Sequence, residues 1–264
     1  MTQHQVAIAI GNSRLHWAVF RDNELYQQWD TAYLSDVAIA ELLRSGFNFQ
    51  SLTEMQPPTG LEGFAQPPQL WLASVVPART QPWLAYPHTR CITLNDIPLG
   101  KLYPTLGIDR ALALWGAVKT LGAPVLVVDA GTALTFTAAD PDQNLLGGAI
   151  APGLTLQLRS LGEGTAALPS AQLQFLNHMP NRWSTDTSTA ILSGVLHLAA
   201  AAICDYGGAW QAQYPTGAIA LTGGDGPILY EFLQHRQPAM ASTITLDPHL
   251  LFRGIPHLWC ARAM

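Results

Sequence analysis

Two short stretches of this chain, 120 positions apart, share one design. Residues 6–20, VAIAIGNSRLHWAVF, form an apolar run that meets Gly11-Asn12-Ser13 and resumes with Leu15, Trp17 and Val19 in alternation. Residues 125–140, VLVVDAGTALTFTAAD, form a continuous apolar run that meets Gly131-Thr132 and resumes as a Thr-rich alternating segment. Alternation marks a strand, and glycine beside small polar residues marks a tight reversal, so each stretch reads as a β-hairpin. Shifted by 120, Gly11 falls on Gly131 and Ala9 on Asp129. A recurring strand-turn-strand unit at this separation predicts an internal duplication.

Helical patterns follow the hairpins in both halves. Ser35 to Leu43 and Asp109 to Leu121 read as helices, the second with an apolar stripe of Leu112, Trp115, Ala117 and Val118. In the second half the Ala-rich segment Thr187 to Tyr206 predicts a long helix, and GAIALTGGDG at 217–226 a strand running into a glycine turn. Leu246 to Ile255 reads as a short apolar closing segment. The expected class is α/β with two similar domains, 1–118 and 119–264. The stretch from Gln56 to Gln69 carries Pro57, Pro58, Pro67 and Pro68, which excludes a helix interior or central strand and predicts a surface loop.

Composition narrows the function. With 48% hydrophobic and 12% charged residues the chain is globular in type. Its formal charge is -5, and its 13 basic residues form no run, which argues against a nucleic-acid partner. No apolar run approaches the roughly 18 residues of a membrane span; the longest, around Val195 to Ile203, contains His197. The N-terminus lacks the pattern of a secretory signal, so a cytoplasmic location is expected. Cys91, Cys204 and Cys260 are far apart and form no metal-ligand pair, and they read as small buried hydrophobes in a reducing compartment.

Three turns end strands: Gly11-Asn12-Ser13, Asp129 to Thr132, and Thr222-Gly223-Gly224. Glycine lets the backbone approach a phosphate, and N–H groups with the hydroxyls of Ser13, Thr132 and Thr222 can donate to it. Asp129 closes an apolar run, where its carboxylate either faces a cation or caps its own turn. At the entrance of a helix, Asp109 either caps the first turn or accepts the proton of an attacking hydroxyl, while Arg110 can hold a substrate carboxylate.

The ordered set AIGNS, SVVP at 74–77, YPTLGIDR at 103–110, DAGTALT at 129–135, LGGAIAPGL at 146–154 and LTGG at 221–224 resembles the motifs of the type III pantothenate kinases. The resemblance spans nearly the whole chain. It implies the actin-like ATPase superfold, two ribonuclease H-like domains around a cleft, working as a homodimer that phosphorylates pantothenate from ATP with magnesium and a monovalent cation, potassium or ammonium. Carried over by position, Asp109 is the base, and Gly107, Ile108, Asp109 and Arg110 form the pantothenate loop. Tyr103 stands for a substrate-side tyrosine at altered spacing. Thr187 closes the site from a partner subunit, Asp129 binds the monovalent cation, and Thr132 contacts ATP. The first phosphate turn comprises Ala9, Ile10, Gly11, Asn12, Ser13, Arg14, Leu15 and His16.

One departure matters. Where that family's first motif reads Asp-x-Gly-Asn-Thr, this chain has Ala9-Ile10-Gly11-Asn12-Ser13, and His16 stands where lysine is frequent. A carboxylate that helps organise magnesium is missing. This keeps open a weakly active or non-catalytic homologue acting as a nucleotide- or pantothenate-binding accessory protein, and another small-molecule kinase of the same superfold.

Overall fold

The computed structural model describes residues 4–52, 54–55, 59–61, 63–165, 168–169, 173 and 179–260. Among the described residues ten strands form two five-stranded sheets. The first contains β1 (His4–Ile10), β2 (Leu15–Arg21), β3 (Glu24–Thr31), β4 (Gln69–Ser74) and β5 (Thr89–Cys91), in the order β3-β2-β1-β4-β5. The second contains β6 (Val125–Ala130), β7 (Ala133–Ala139), β8 (Leu145–Pro152), β9 (Ala218–Thr222) and β10 (Ile244–Leu246), in the order β10-β9-β6-β7-β8. In each, a meander of three antiparallel strands is extended by two parallel ones. The same order and sense of pairing therefore occur twice, which is the duplicated α/β, ribonuclease H-like architecture expected. Antiparallel neighbours need only a tight turn, whereas the parallel additions need crossovers, and that is where the helices fall.

Helices α1 (Asp36–Arg44), α2 (Pro77–Thr80) and α3 (Ile108–Leu121) lie in the first half of the chain. In the second half lie α4 (Leu154–Gly164), α5 (Thr187–Gln213), α6 (Gly226–Arg236), α7 (Pro238–Ala241), α8 (Leu250–Arg253) and α9 (Ile255–Cys260). Ser35 caps α1, its hydroxyl accepting from the Ala38 N–H at 3.1 Å. Asp186 caps α5 in the same way, accepting from Thr189 N–H at 2.9 Å. The closing segment carries α8, and α9 follows it to Cys260.

The chain divides into two compact units, and the division is not a single cut. The first holds the chain up to Pro98, Leu102–Gly116 and the segment from Leu251 onward, which the sequence reading assigned to 119–264; the second holds Leu99–Lys101 and Ala117–Leu250. Trp259 of α9 explains the return, since its ring lies 5.2 Å from Phe20 and 5.6 Å from Trp71 in the first sheet. The core of the first unit gathers Val6, Ile8, Ile10, Trp17, Leu42, Phe47, Phe49, Leu70 and Trp83, with Trp17 stacked on Trp29 at 5.6 Å. That of the second packs Leu126, Val128, Leu134 and Phe136 against α5 and α6.

Three expectations are corrected. Helix α5 runs seven residues past Tyr206 to Gln213, and over its 27 residues it is long and apolar enough to cross a membrane by length and composition. Its Ile191, Val195, Leu196, Ala199, Ala200, Ile203, Gly207 and Trp210 recur at three- and four-residue spacing and are buried in the second unit's own core. Cys91 is exposed and Cys204 half-buried; both are free thiols, and neither is a fully buried hydrophobe. Of the Pro-rich stretch, Gln56, Pro57, Pro58 and Glu62 lie outside the described residues, as does the side chain of Cys260.

Candidate phosphoryl-transfer site

In the first unit, β1 delivers the chain to Gly11 and β2 carries it away, with the Gly11 N–H donating to Arg14 O at 3.1 Å. Ala9, Ile10 and Leu15 are buried and fix the strand ends, while Asn12, Ser13 and Arg14 are exposed on the turn. The Tyr33 hydroxyl donates to the Gly11 carbonyl, and the Arg79 guanidinium lies over the Tyr33 ring at 4.8 Å. Antiparallel register puts Ala9 opposite His16, and His16 opposite Asp30. His16 Nδ1 is 2.7 Å from Asp30 Oδ1, and Arg14 Nη1 is 3.3 Å from Asp30 Oδ2. Burial raises the Asp30 pKa, but the hydrogen bonds and charges of His16 and Arg14 outweigh it and hold the carboxyl below the usual aspartate range.

The next turn of the first unit follows β4, where Val75 N–H donates to Ile10 O at 3.1 Å and ties the SVVP segment to the end of β1. At the entrance of α3, Asp109 is half-buried and its Oδ1 accepts from the Arg110 N–H at 2.7 Å. A side-chain methyl on Gly107 would stand 2.5 Å from that Oδ1 and 3.9 Å from Val75 Cγ1, so only glycine leaves room for this carboxylate. Ile108 is buried and anchors the helix start. Arg110 is only 8% exposed, and its Nη1 donates to the Tyr103 hydroxyl at 3.1 Å. The loop thus brings Tyr103, Gly107, Asp109 and Arg110 together.

The second unit carries the counterpart. Asp129 sits next to the end of β6, opposite Thr135 of β7 and Thr222 of β9. Two glycines approach its carboxylate and a third closes the adjoining turn. Gly223, at φ +89°, could not carry a methyl group, which would lie 2.4 Å from Asp129 Oδ1 and 2.5 Å from the Ala130 carbonyl. A methyl on Gly153 would overlap the carbonyls of Gly131 and Thr132, and one on Gly131 would reach within 3.7 Å of Asp129 Oδ1. Gly153 N–H donates to Thr132 O at 3.1 Å, and Asp225 N–H to Ala130 O at 2.8 Å, so three turns distant in sequence converge. Thr135, 7% exposed, keeps its hydroxyl buried without a hydrogen-bond partner on the row that Asp129 occupies.

This arrangement fits an ATP phosphate tail with its divalent cation. Magnesium needs one or two carboxylates beside phosphate oxygens and water, and no all-protein cage. Among the described residues no three His, Cys, Asp or Glu side chains cluster. Thr187 begins α5 and is exposed. The sequence reading left out Asp30, Tyr33, Gly153 and Thr135; Gly153 and Thr135 lay inside quoted motifs without being singled out, whereas Asp30 and Tyr33 acquire meaning only from strand register and loop packing.

Comparison with known proteins agrees with this geometry. The sequence model of the family described as type III pantothenate kinase matches residues 5–206. Relatives with that name include one from Nostoc sp., 44% identical and covering 95% of this chain and 92% of its own length. Another, from Synechocystis sp., is 42% identical over 95% of this chain and 88% of its own. A third, from Synechococcus elongatus, is 39% identical over 98% and 97%. Among solved structures, a conserved protein from Campylobacter jejuni assigned to the Baf family of transcriptional activators superposes with a TM-score of 0.58 at 19% identity, covering 98% of both chains. The ethanolamine utilization protein EutJ from Carboxydothermus hydrogenoformans superposes at 0.50 and 13% identity, over 97% and 88%. These two speak for the fold alone. The family match over most of the chain, together with relatives of that name at 39–44% identity over nearly the whole chain, shows that the chain belongs to the type III pantothenate kinase family.

Proposed function

We propose that this chain transfers the γ-phosphoryl group of ATP to the primary hydroxyl of pantothenate, the opening step of coenzyme A synthesis. The observation that carries the reading is the Asp109 carboxylate, given room by Gly107 and standing beside the buried Arg110. Asp109 accepts the proton of the pantothenate hydroxyl as its oxygen bonds to the γ-phosphorus. The bond from that phosphorus to the bridging oxygen breaks, and ADP leaves with the electron pair. Arg110, steadied by Tyr103, binds the pantothenate carboxylate and sets the hydroxyl toward Asp109. The N–H groups and hydroxyls of the Gly11-Asn12-Ser13 turn and of Thr132 donate to phosphate oxygens. Magnesium, when bound, supplies neutralisation of the charge that develops on the β- and γ-phosphate oxygens.

The finer assignments belong to the same proposal. Asp129, with Thr135 opposite, holds a monovalent cation, potassium or ammonium. Thr187 completes the pantothenate site across a homodimer, and the enzyme works in the cytoplasm. Ile10, Arg14, Leu15 and His16 frame the first phosphate turn. A second reading, a weakly active homologue, is favoured by Ala9, which supplies no carboxylate to that turn.

The test is ATP- and potassium-dependent phosphorylation of pantothenate by the purified protein beside Asp109→Asn. Loss of a general base lowers kcat by about 10²–10⁴-fold. Turnover that survives the substitution, or that runs equally in sodium, removes the corresponding role. Sedimentation of the same sample decides the dimer, and a large gain in Ala9→Asp favours the weakly active homologue.

A further inference from the structure

We propose that Asp30 is a positioning residue for His16, holding the imidazole so that Nε2 faces the Gly11 turn and, as imidazolium, gives a nucleotide phosphate its positive contact. The inference rests on the reading that this turn takes a phosphate of ATP. Its basis is the row Ala9, His16, Asp30 across three adjacent strands. Within that row Ala9 has no acid to offer, and Asp30 meets the ring at 2.7 Å on Nδ1. An ionised carboxylate only accepts, so Nδ1 carries the hydrogen and Nε2 is left for the other side.

That other side is the phosphate turn. A methyl group on Gly11 would lie 3.4 Å from His16 Nε2 and 3.7 Å from Cδ2, so the ring edge stands over the backbone that Gly11 leaves bare. In the neutral ring this Nε2 presents a lone pair toward phosphate oxygens, and the two repel. With a proton taken from solvent it becomes a donor, and nucleotide binding is thereby linked to protonation. The charged groups facing His16 are Asp30 from β3 and Arg14 from the turn, while β1 contributes only Ala9. Arg14 binds the second oxygen of the same carboxylate at 3.3 Å. Asp30 thus holds two basic groups at the turn, and the cluster carries one net positive charge when the ring is protonated. An aspartate at position 9 would put His16 between two carboxylates and cancel that charge.

The experiment measures KM for ATP and for pantothenate from about pH 6 to about pH 9. The variants are His16→Gln, His16→Lys and Asp30→Asn. A charge-assisted contact of this kind corresponds to about a tenfold change in KM for ATP. The native enzyme loses that factor as pH rises, with KM for pantothenate unmoved. His16→Gln has lost it already at low pH, and Asp30→Asn behaves in the same direction. His16→Lys keeps a low KM to high pH, which separates lost charge from damage to the fold. An ATP KM that is flat with pH in the native enzyme, or unchanged in His16→Gln and Asp30→Asn, overturns the proposal. Calorimetric ATP binding in the same proteins keeps the two readings apart. Without turnover the kinase reading falls, while an affinity that declines with pH only when His16 is present still upholds the dyad, and a flat affinity sinks it.

Discussion

A methyl group on Gly107 would stand 2.5 Å from Asp109 Oδ1, inside any tolerable contact, so Gly107→Ala must push the carboxylate out of its place. The backbone of Gly107 is not in the left-handed region, and little else crowds it, so the protein should fold with at most a small loss of stability. Catalysis should suffer more. A misplacement of about 1 Å in a reacting group costs on the order of 10²-fold, and Gly107→Ala is expected to lower kcat by that order with a melting temperature near native. Steady-state kinetics beside thermal unfolding checks it; a normal kcat would mean that the base stands elsewhere. At this scale GIDR was legible because the motif is contiguous. Asp30 was not, because its partner His16 is 14 positions away and the pairing exists only through β2–β3 register. Nor was Thr135, one of several threonines in an alternating strand until Asp129 is found opposite it.

At the level of elements, the phosphate site proposed for the second unit is a meeting of turns, and Gly223 is one of its tightest points. Its φ of +89° and the 2.4 Å approach to Asp129 Oδ1 each forbid a side chain. Gly223→Ala is expected to cost at least about 2 kcal/mol in urea unfolding and to abolish measurable ATP binding. Helix α5 offers a prediction of a different kind. His197 packs edge-on against Phe232 at 4.8 Å with Nε2 buried and unpartnered. Burial lowers its pKa below 6.5, and the charges of Arg182 and Arg236 lower it further. The folded protein therefore binds this proton less well than the unfolded chain. The stability it contributes is whole above the ordinary histidine value and is lost as pH falls through the lowered folded one. Native protein should lose stability on acidification below about pH 6.5 more steeply than His197→Gln, read as the difference between their urea midpoints across pH. Strands β1, β2, β6, β7 and β9 and helices α1, α3 and α5 were legible from period and punctuation, whereas β3, β4, β5, β8, β10 and the shorter helices were not. The end of α5 was not, because Gly207-Gly208 follows the expected stop at Tyr206. Gly207 instead packs within 2.9 Å, measured from a methyl position, of Met240 Sδ, and packing overrides a weak helix former.

For the whole molecule, the duplication first visible as two hairpins 120 positions apart extends to complete sheets with one strand order, yet the two halves have diverged in chemistry. Position 129 keeps an acid where position 9 has alanine, and the first half holds its acid on β3 instead. The connectivity is also unequal, since the segment after Leu250 leaves the second unit and ends in the first. Hydrophobic patterning could not reveal this: a short apolar segment at the end of a chain does not say which core receives it. Trp259 is the residue that answers, half-buried with its ring edge-on to Phe20 at an interplanar angle of 86° and tilted over Trp71 at 33°. Removing a fully buried tryptophan costs about 3–5 kcal/mol, and a half-buried one correspondingly less, so Trp259→Ala should lower stability by about 2–3 kcal/mol. The loss belongs to the first unit, where Phe20 and Trp71 would gain exposure, so guanidinium unfolding should show a lowered midpoint. A shift under about 0.5 kcal/mol, the range of ordinary surface substitutions, would mean that the first sheet stands without its C-terminal helix.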